Sequence, residues 1–160
     1  MEPATIFILQ FVMSTFVIAF ITMWYAVPWL AKMPTTGALS VLIAPHAFRH
    51  IGLAFLVPSL NAPTMPYIFS GPASYGDLAA AVLAVVSLTA LRGHSRLAPA
   101  LIWIFNVIGT LDLINALRQV EAIDHFGATW FIPTFFVPLL LVSHAMIFVY
   151  LLKRHPIISA

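Results

Sequence analysis

Three residues that can carry or share a proton lie close together in an otherwise apolar segment. They are His46, Arg49 and His50, within the segment APHAFRHIGLAF, residues 44–55. On an α-helix, residues three and four positions apart share a face, so this spacing predicts one polar face for the three side chains. A buried charge without a partner is costly, so we expect this face to meet polar groups on neighbouring helices.

Arg49 needs a counterion, and the predicted helices place one acidic residue, Asp112, inside the protein. We therefore predict an ion pair between Arg49 and Asp112, since arginine stays charged and can engage a carboxylate through two donors. His50 is the expected second hydrogen-bond partner, and Asn106 and Asn115 extend the polar site along the helix of Asp112. The arrangement predicts a site for a small ligand or a proton. The alternative is that the pair only holds two helices in register.

His46 and His144 are predicted to lie at one depth on two different helices. At a rise of about 1.5 Å per residue, each lies roughly 12 Å from the same end of its helix. Two neutral imidazoles at one level could be the axial ligands of a haem b, with Gly52 and Gly109 relieving crowding if they face it. The alternative is hydrogen bonding between helices, for instance to Asn106. A non-haem metal site fits less well, because dimetal centres in bundles need several carboxylates.

The composition indicates which elements must position these residues. The chain has 160 residues, of which 62% are hydrophobic and 8% charged, whereas soluble domains are roughly 45–50% apolar. Stretches of about 20 apolar residues cross a membrane as helices. The sequence therefore predicts an all-α integral membrane protein, with residues 1–160 as one domain and five transmembrane helices. The predicted spans are about 5–31, 38–60, 73–91, 98–118 and 128–152. The alternative is four spans plus an interfacial or re-entrant segment at 38–60.

The connections between these spans carry the charges. Residues 61–76 are rich in proline and predict an irregular connection, which places Asp77 at or beyond one end of the third span. Cytoplasmic loops collect Lys and Arg, and one side of the five-span arrangement holds nearly all of them. This side carries Lys32, Arg92, Arg96, Lys153 and Arg154, whereas Arg118 lies opposite. We therefore predict a bacterial inner-membrane protein with its N-terminus outside and its C-terminus in the cytoplasm.

Several kinds of chemistry are disfavoured by what the sequence lacks. There is no cysteine, which excludes disulfides and thiolate metal sites. The glycines form no phosphate-binding loop, no hydrolase motif is present, and the small excess of basic residues indicates no nucleic-acid partner. His94, His125 and His155 are expected in loops. We thus predict a small-ligand-binding protein of the lipid bilayer that is not evidently an enzyme, with haem b as the most concrete ligand. The alternatives are a proton-linked carrier of small molecules and a non-catalytic subunit of a larger membrane complex.

Overall fold

The structure is a computed structural model that describes residues 1–153, so the predictions for Arg154 and His155 fall outside the described residues. Within this range the protein is helical, without strands, and five helices are long and apolar enough to cross a membrane. Their bounds are Pro3–Leu30 (α1), Thr35–Leu56 (α2), Tyr67–Arg92 (α3), Ala98–Leu117 (α4) and Gly127–Leu152 (α5). A short 3-10 helix, Val120–His125, lies between α4 and α5. Helices α2 to α5 pack in a ring, and α1 packs outside it against α5.

The largest departure from the predicted spans is the start of α3. This helix begins at Tyr67, so the prediction of an irregular connection is wrong for residues 67–76. Pro66 stands just before the first turn, where no N–H is needed, and Pro72 lies in the second turn with its ring exposed, where it removes a single hydrogen bond. As a result Asp77 lies about three turns inside the helix. Helix α2, in contrast, ends at Leu56, earlier than the predicted residue 60.

Helix α2 changes its geometry at a proline. Residues Thr35–Ile43 are α-helical and residues Ala44–Leu56 form a 3-10 helix of 13 residues. Pro45 has no N–H to donate to the carbonyl four residues before it, so the α-helical pattern is interrupted there. A 3-10 helix has three residues per turn, so its buried side should recur at every third position. The buried residues of this segment follow that rule: His46, Arg49, Gly52 and Phe55.

Two other prolines coincide with local changes of helix type. The segments Thr22–Ala26 in α1 and Ile132–Phe136 in α5 are π-helical, and each ends two residues before a proline. Pro28 and Pro138 cannot donate to the preceding turn and their rings would collide with it, and the wider π turn relieves this collision. In α5 the π segment is preceded by the 3-10 turn Gly127–Trp130.

The two ends of the bundle differ in their charge and in how far the connections between helices cover them. We call residues 31–34, 92–97 and 153 the basic end, because Lys32, Arg92, Arg96 and Lys153 lie there and are exposed. The half of the bundle next to it is packed with apolar side chains such as Ile43, Ala84, Ile102 and Ile147, each 0% exposed. We call residues 57–66 and 118–126 the capped end, because these connections cover the bundle there.

Asn61 holds the capped end together. Its Nδ2 donates to the carbonyls of Ala54, Phe55 and Val57 at 3.0, 3.1 and 3.0 Å. The carbonyls of Ala54 and Val57 also accept backbone N–H groups, so the contact with the carbonyl of Phe55 is the one that supplies a missing donor at the end of α2. Its Oδ1 accepts a hydrogen bond of 2.7 Å from Thr129 Oγ1, at the start of α5. This asparagine therefore terminates α2 and ties it to α5.

Candidate functional site

Arg49 lies at the centre of a buried ionic cluster and is 1% exposed. Its Nη2 donates to Asp112 Oδ2 at 2.6 Å, which confirms the predicted ion pair. Its Nε donates to Asp77 Oδ1 at 2.7 Å, and its Nη1 donates to the carbonyl of Gly109 at 3.0 Å. One guanidinium thus joins α2 to α3 and α4 through charge-assisted hydrogen bonds.

His144 extends the cluster to α5. Its Nε2 faces Arg49 Nη1 at 3.5 Å, its Nδ1 lies 2.7 Å from Asn106 Oδ1, and Asn106 Nδ2 donates to the carbonyl of His144 at 3.3 Å. Guanidinium nitrogens can only donate, so Nε2 must be the unprotonated nitrogen and Nδ1 carries the hydrogen. His144 is therefore a neutral imidazole held in place by Asn106.

His46 and His144 lie at one level, and their rings pack directly against each other. The ring centroids are 4.1 Å apart at an angle of 52°, and Phe105 contacts both rings. Axial ligation of haem needs about 4 Å between the coordinating nitrogens, with each ring centroid behind its nitrogen, hence about 6 Å between centroids. The observed arrangement does not fit a macrocycle between the rings. Haem ligation would require the rings to separate and His144 to release Arg49 or Asn106.

His46 has a further distinguishing property. Its side chain is 0% exposed, and neither of its ring nitrogens has a hydrogen-bond partner among the residues described. No group of three or more metal-ligating side chains that could hold an ion occurs in residues 1–153. His46 therefore contributes to the cluster through ring packing on His144 in this conformation.

Two predicted site residues lie outside the cluster. His50 is exposed, and its Nδ1 lies 3.0 Å from the carbonyl oxygen of Ala47 on its own helix. The predicted common face of His46, Arg49 and His50 is wrong for His50, because in a 3-10 helix the fourth residue after His46 lies about 120° away from it. Asn115 is also exposed. Asp112 lies at the edge of the buried face of α4, and Asn115, three residues later, lies about 60° further round the helix on the exposed side.

Three glycines make room for the polar side chains, each for a residue of the next helix. A Cβ at Gly52 of α2 would overlap the carboxylate of Asp77, with 2.7 Å to its Cγ. A Cβ at Gly76 of α3 would overlap the carboxylate of Asp112 in the same way.

The third glycine, Gly109 of α4, accommodates His144 of α5. A Cβ there would lie 2.8 Å from His144 Cε1 and 3.0 Å from Arg49 Nη1. Gly52 and Gly109, which the haem hypothesis places beside a macrocycle, relieve crowding around the ionic cluster in the structure. The close approach of the four helices depends on these missing side chains.

A cavity lies between the cluster and the capped end. Its volume is about 40 Å³, and Asp77 and Asp112 contribute to its wall together with apolar residues. Four phenyl rings line it: Phe7, Phe55, Phe69 and Phe126. These rings contact one another, with the centroids of Phe55 and Phe69 5.2 Å apart and those of Phe69 and Phe126 5.3 Å apart. By volume the cavity could hold roughly three water molecules.

The charges around this cavity do not balance. The cluster contains the two carboxylates of Asp77 and Asp112 and the single guanidinium of Arg49, while His144 is neutral. Each carboxylate engages Arg49 through one oxygen. Within the described part of the chain, the second oxygens have no hydrogen-bond donor. With both acids ionised, the cluster carries one excess negative charge.

Asp77 and Asn61 are the two important polar residues that sequence reasoning missed. The prolines before Asp77 disfavour helix when each is considered alone, which places this residue at the end of a span. One signal for a helix start is present, since Pro66 stands where proline is favoured at the beginning of a helix, but Gly71, Pro72 and Gly76 then weigh against helix. For Asn61 no comparable signal exists, because its role depends on three carbonyls that become neighbours only in the folded chain.

Comparison with protein families identifies one match. The family described as a domain of unknown function (DUF8737) matches residues 6–152, and the chain belongs to this family. No curated protein and no solved structure matches the chain. The matched range includes every residue of the cluster.

Proposed function

We propose that this member of the family is an integral membrane protein of the bacterial inner membrane, crossing the bilayer five times. Large apolar side chains cover its outer surface, for example Phe16 at 60% exposure and Ile68 at 77%. Such a surface is stable in lipid and would aggregate in water. The basic end faces the cytoplasm and the N-terminus lies outside, because cytoplasmic segments collect Lys and Arg. Reporter fusions at both termini test this orientation, and finding both on one side of the membrane would contradict it.

We further propose that the protein binds a small ligand in the cavity at the ionic cluster. The observation that carries this proposal is the cavity itself, which brings two carboxylates and an apolar, aromatic wall together at one place. Binding sites are typically concave and apolar with a few fixed polar groups. A cluster that only held helices in register would need neither a second carboxylate nor an open volume beside it.

The absence of cysteine from the sequence permits a direct test of access to the cavity. In an Ala116→Cys variant the thiol lies in the cavity wall, one turn after Asp112. Ala84→Cys, in the packed half of α3 at 0% exposure, is the matched control. We expect methyl methanethiosulfonate to modify the Ala116→Cys variant in detergent at least ten times faster than the Ala84→Cys variant, as read by intact mass. Equal rates in the two variants would refute an accessible cavity.

Proton-linked carriage is a second candidate, favoured by the two carboxylates that share one guanidinium. Acidic groups inside membrane helices commonly relay protons in transporters. A carrier must also open towards the basic end, where the present conformation is closed by apolar packing. In vesicles, the slow modification of Ala84→Cys should then proceed over hours, and complete protection of this thiol would contradict carriage.

Haem binding remains a prediction that depends on a rearrangement of His46 and His144. An absorption spectrum of protein expressed with added haem tests it. A Soret band that disappears in His144→Ala would support ligation. A colourless protein, or a band unchanged in that variant, would contradict it.

A further inference from the structure

We propose that the ligand of this cavity is a small organic cation of the ammonium class, an inference that rests on the proposed ligand-binding function. The charge of the cluster is the first argument. Arg49 neutralises one of the two carboxylates, and no other cationic side chain among the described residues contacts either of them. With both acids ionised, a monocation in the cavity would balance the remaining negative charge, whereas an anion would double it.

The second argument is that one carboxylate oxygen of Asp77 has no hydrogen-bond donor among the described residues. This residue is 9% exposed and lines the cavity, yet only one of its oxygens is engaged by Arg49. Its second oxygen has no donor within residues 1–153 and is accessible from the cavity, so an ammonium N–H placed there could give it a charge-assisted hydrogen bond. Asp112 offers a second such oxygen from the neighbouring helix α4.

The third argument is the aromatic wall. The rings of Phe55, Phe69 and Phe126 lie within 5.2–5.8 Å of one another around the cavity. Phenyl rings attract organic cations through their π electrons and accommodate methyl groups, but do not replace the water shell of an inorganic ion. The volume of about 40 Å³ limits the ligand to a few non-hydrogen atoms, as in methylammonium.

An ammonium group of this kind could belong to a free amine or to the head group of phosphatidylethanolamine. Both present the same chemistry to the carboxylates. Protein purified in detergent without lipid tests the free amine. Nanodiscs of phosphatidylethanolamine, compared with nanodiscs of phosphatidylglycerol, test the lipid.

The experiment measures how far each compound slows the modification of Ala116→Cys by methyl methanethiosulfonate. Methylammonium, methanol and formate have similar sizes and are cationic, neutral and anionic, respectively. We expect 100 mM methylammonium to slow the modification at least fivefold, with less than twofold effects of methanol and formate. In the Ala116→Cys, Asp112→Asn variant the effect of methylammonium should disappear, while Asp124→Asn, a change at an exposed residue, should preserve it.

The outcomes separate this inference from the function on which it rests. If the thiol at position 116 reacts no faster than the thiol at position 84, the cavity is inaccessible and the proposed function fails. If the thiol at position 116 reacts quickly but neither methylammonium nor phosphatidylethanolamine slows it, the cavity exists and the cationic ligand is refuted. Protection by phosphatidylethanolamine alone assigns the ammonium group to lipid. Protection that persists in Asp112→Asn refutes the role of the excess charge, provided that gel filtration shows this variant to be folded.

Discussion

The two carboxylates that share Arg49 should partly substitute for each other. In Asp112→Asn, Arg49 keeps its ion pair with Asp77 at 2.7 Å, and the new amide oxygen can still accept from Nη2. The variant therefore exchanges a charge-assisted hydrogen bond for a neutral one, a loss of about 1 kcal/mol. Removing the excess negative charge offsets part of this loss. The same reasoning applies to Asp77→Asn, so each single substitution should lower the free energy of unfolding by about 1 kcal/mol or less.

The double variant, which carries both Asp77→Asn and Asp112→Asn, should lose much more stability than either single variant. Arg49 is 1% exposed in the structure. With both carboxylates gone, its guanidinium has no counterion in the cluster. An uncompensated buried charge destabilises a protein by about 3–5 kcal/mol. We therefore expect the double variant to lose about 1–3 kcal/mol more than the sum of the two single losses.

Unfolding in mixed micelles with increasing SDS, followed by tryptophan fluorescence, measures these differences. Asp124→Asn makes the same chemical change at an exposed residue of the capped end and should have no effect. Additive losses in the double variant would show that the carboxylates do not substitute for each other. A single variant as unstable as the double would also refute the reasoning, because the remaining carboxylate would then not be compensating Arg49.

Two further substitutions test the packing around the cluster. Gly76→Ala should destabilise the protein by about 1–3 kcal/mol, because its Cβ would overlap the Asp112 carboxylate. Gly37→Ala, whose Cβ would have its nearest contact at 3.6 Å, should be neutral or stabilising. Equal effects of the two substitutions in the same unfolding assay would contradict this reasoning. Asn61→Ala should destabilise the protein by about 1–2 kcal/mol, since it leaves the carbonyl of Phe55 without a donor and removes the acceptor of Thr129, whereas Asn115→Ala at an exposed site should have no effect. A melting temperature of Asn61→Ala equal to that of Asn115→Ala would show that the capped end is held by other contacts.

The residues of the cluster show how far the sequence could predict the site. The pairing of Arg49 with Asp112 follows from elimination, because a buried arginine needs an acid and Asp112 is the one acid that the sequence places away from the end of a predicted span. The common level of His46 and His144 follows from counting residues along two helices. Both inferences use only the number and direction of the helices, which the distribution of apolar residues determines.

The failures arise where local backbone geometry departs from the α-helix, or where a helix continues through a proline. The prediction for His50 depends on a repeat of 3.6 residues, but α2 has three residues per turn from Ala44 onwards. The prediction for Asp77 depends on Pro72 ending a connection, whereas α3 continues through it. Pro45 indicates in the sequence where the α-helical pattern of α2 is interrupted. Nothing in the composition predicts that the 3-10 geometry continues for 13 residues, because that depends on packing against α3.

The 3-10 geometry of α2 also makes two neighbouring helices commensurate. Three residues of a 3-10 helix and four residues of an α-helix both advance about 6 Å along the axis. Along the two helices Arg49 meets Asp77, the carbonyl of Gly52 meets Ser74, and Phe55 meets Phe69, so six residues of α2 match eight of α3. Over their full lengths, the 22 residues of α2 and the 26 residues of α3 both extend about 39 Å. A fully α-helical α2 would be about 6 Å shorter and would lose this matching periodicity, so the helix with fewer residues reaches both ends of its partner because it is wound more tightly.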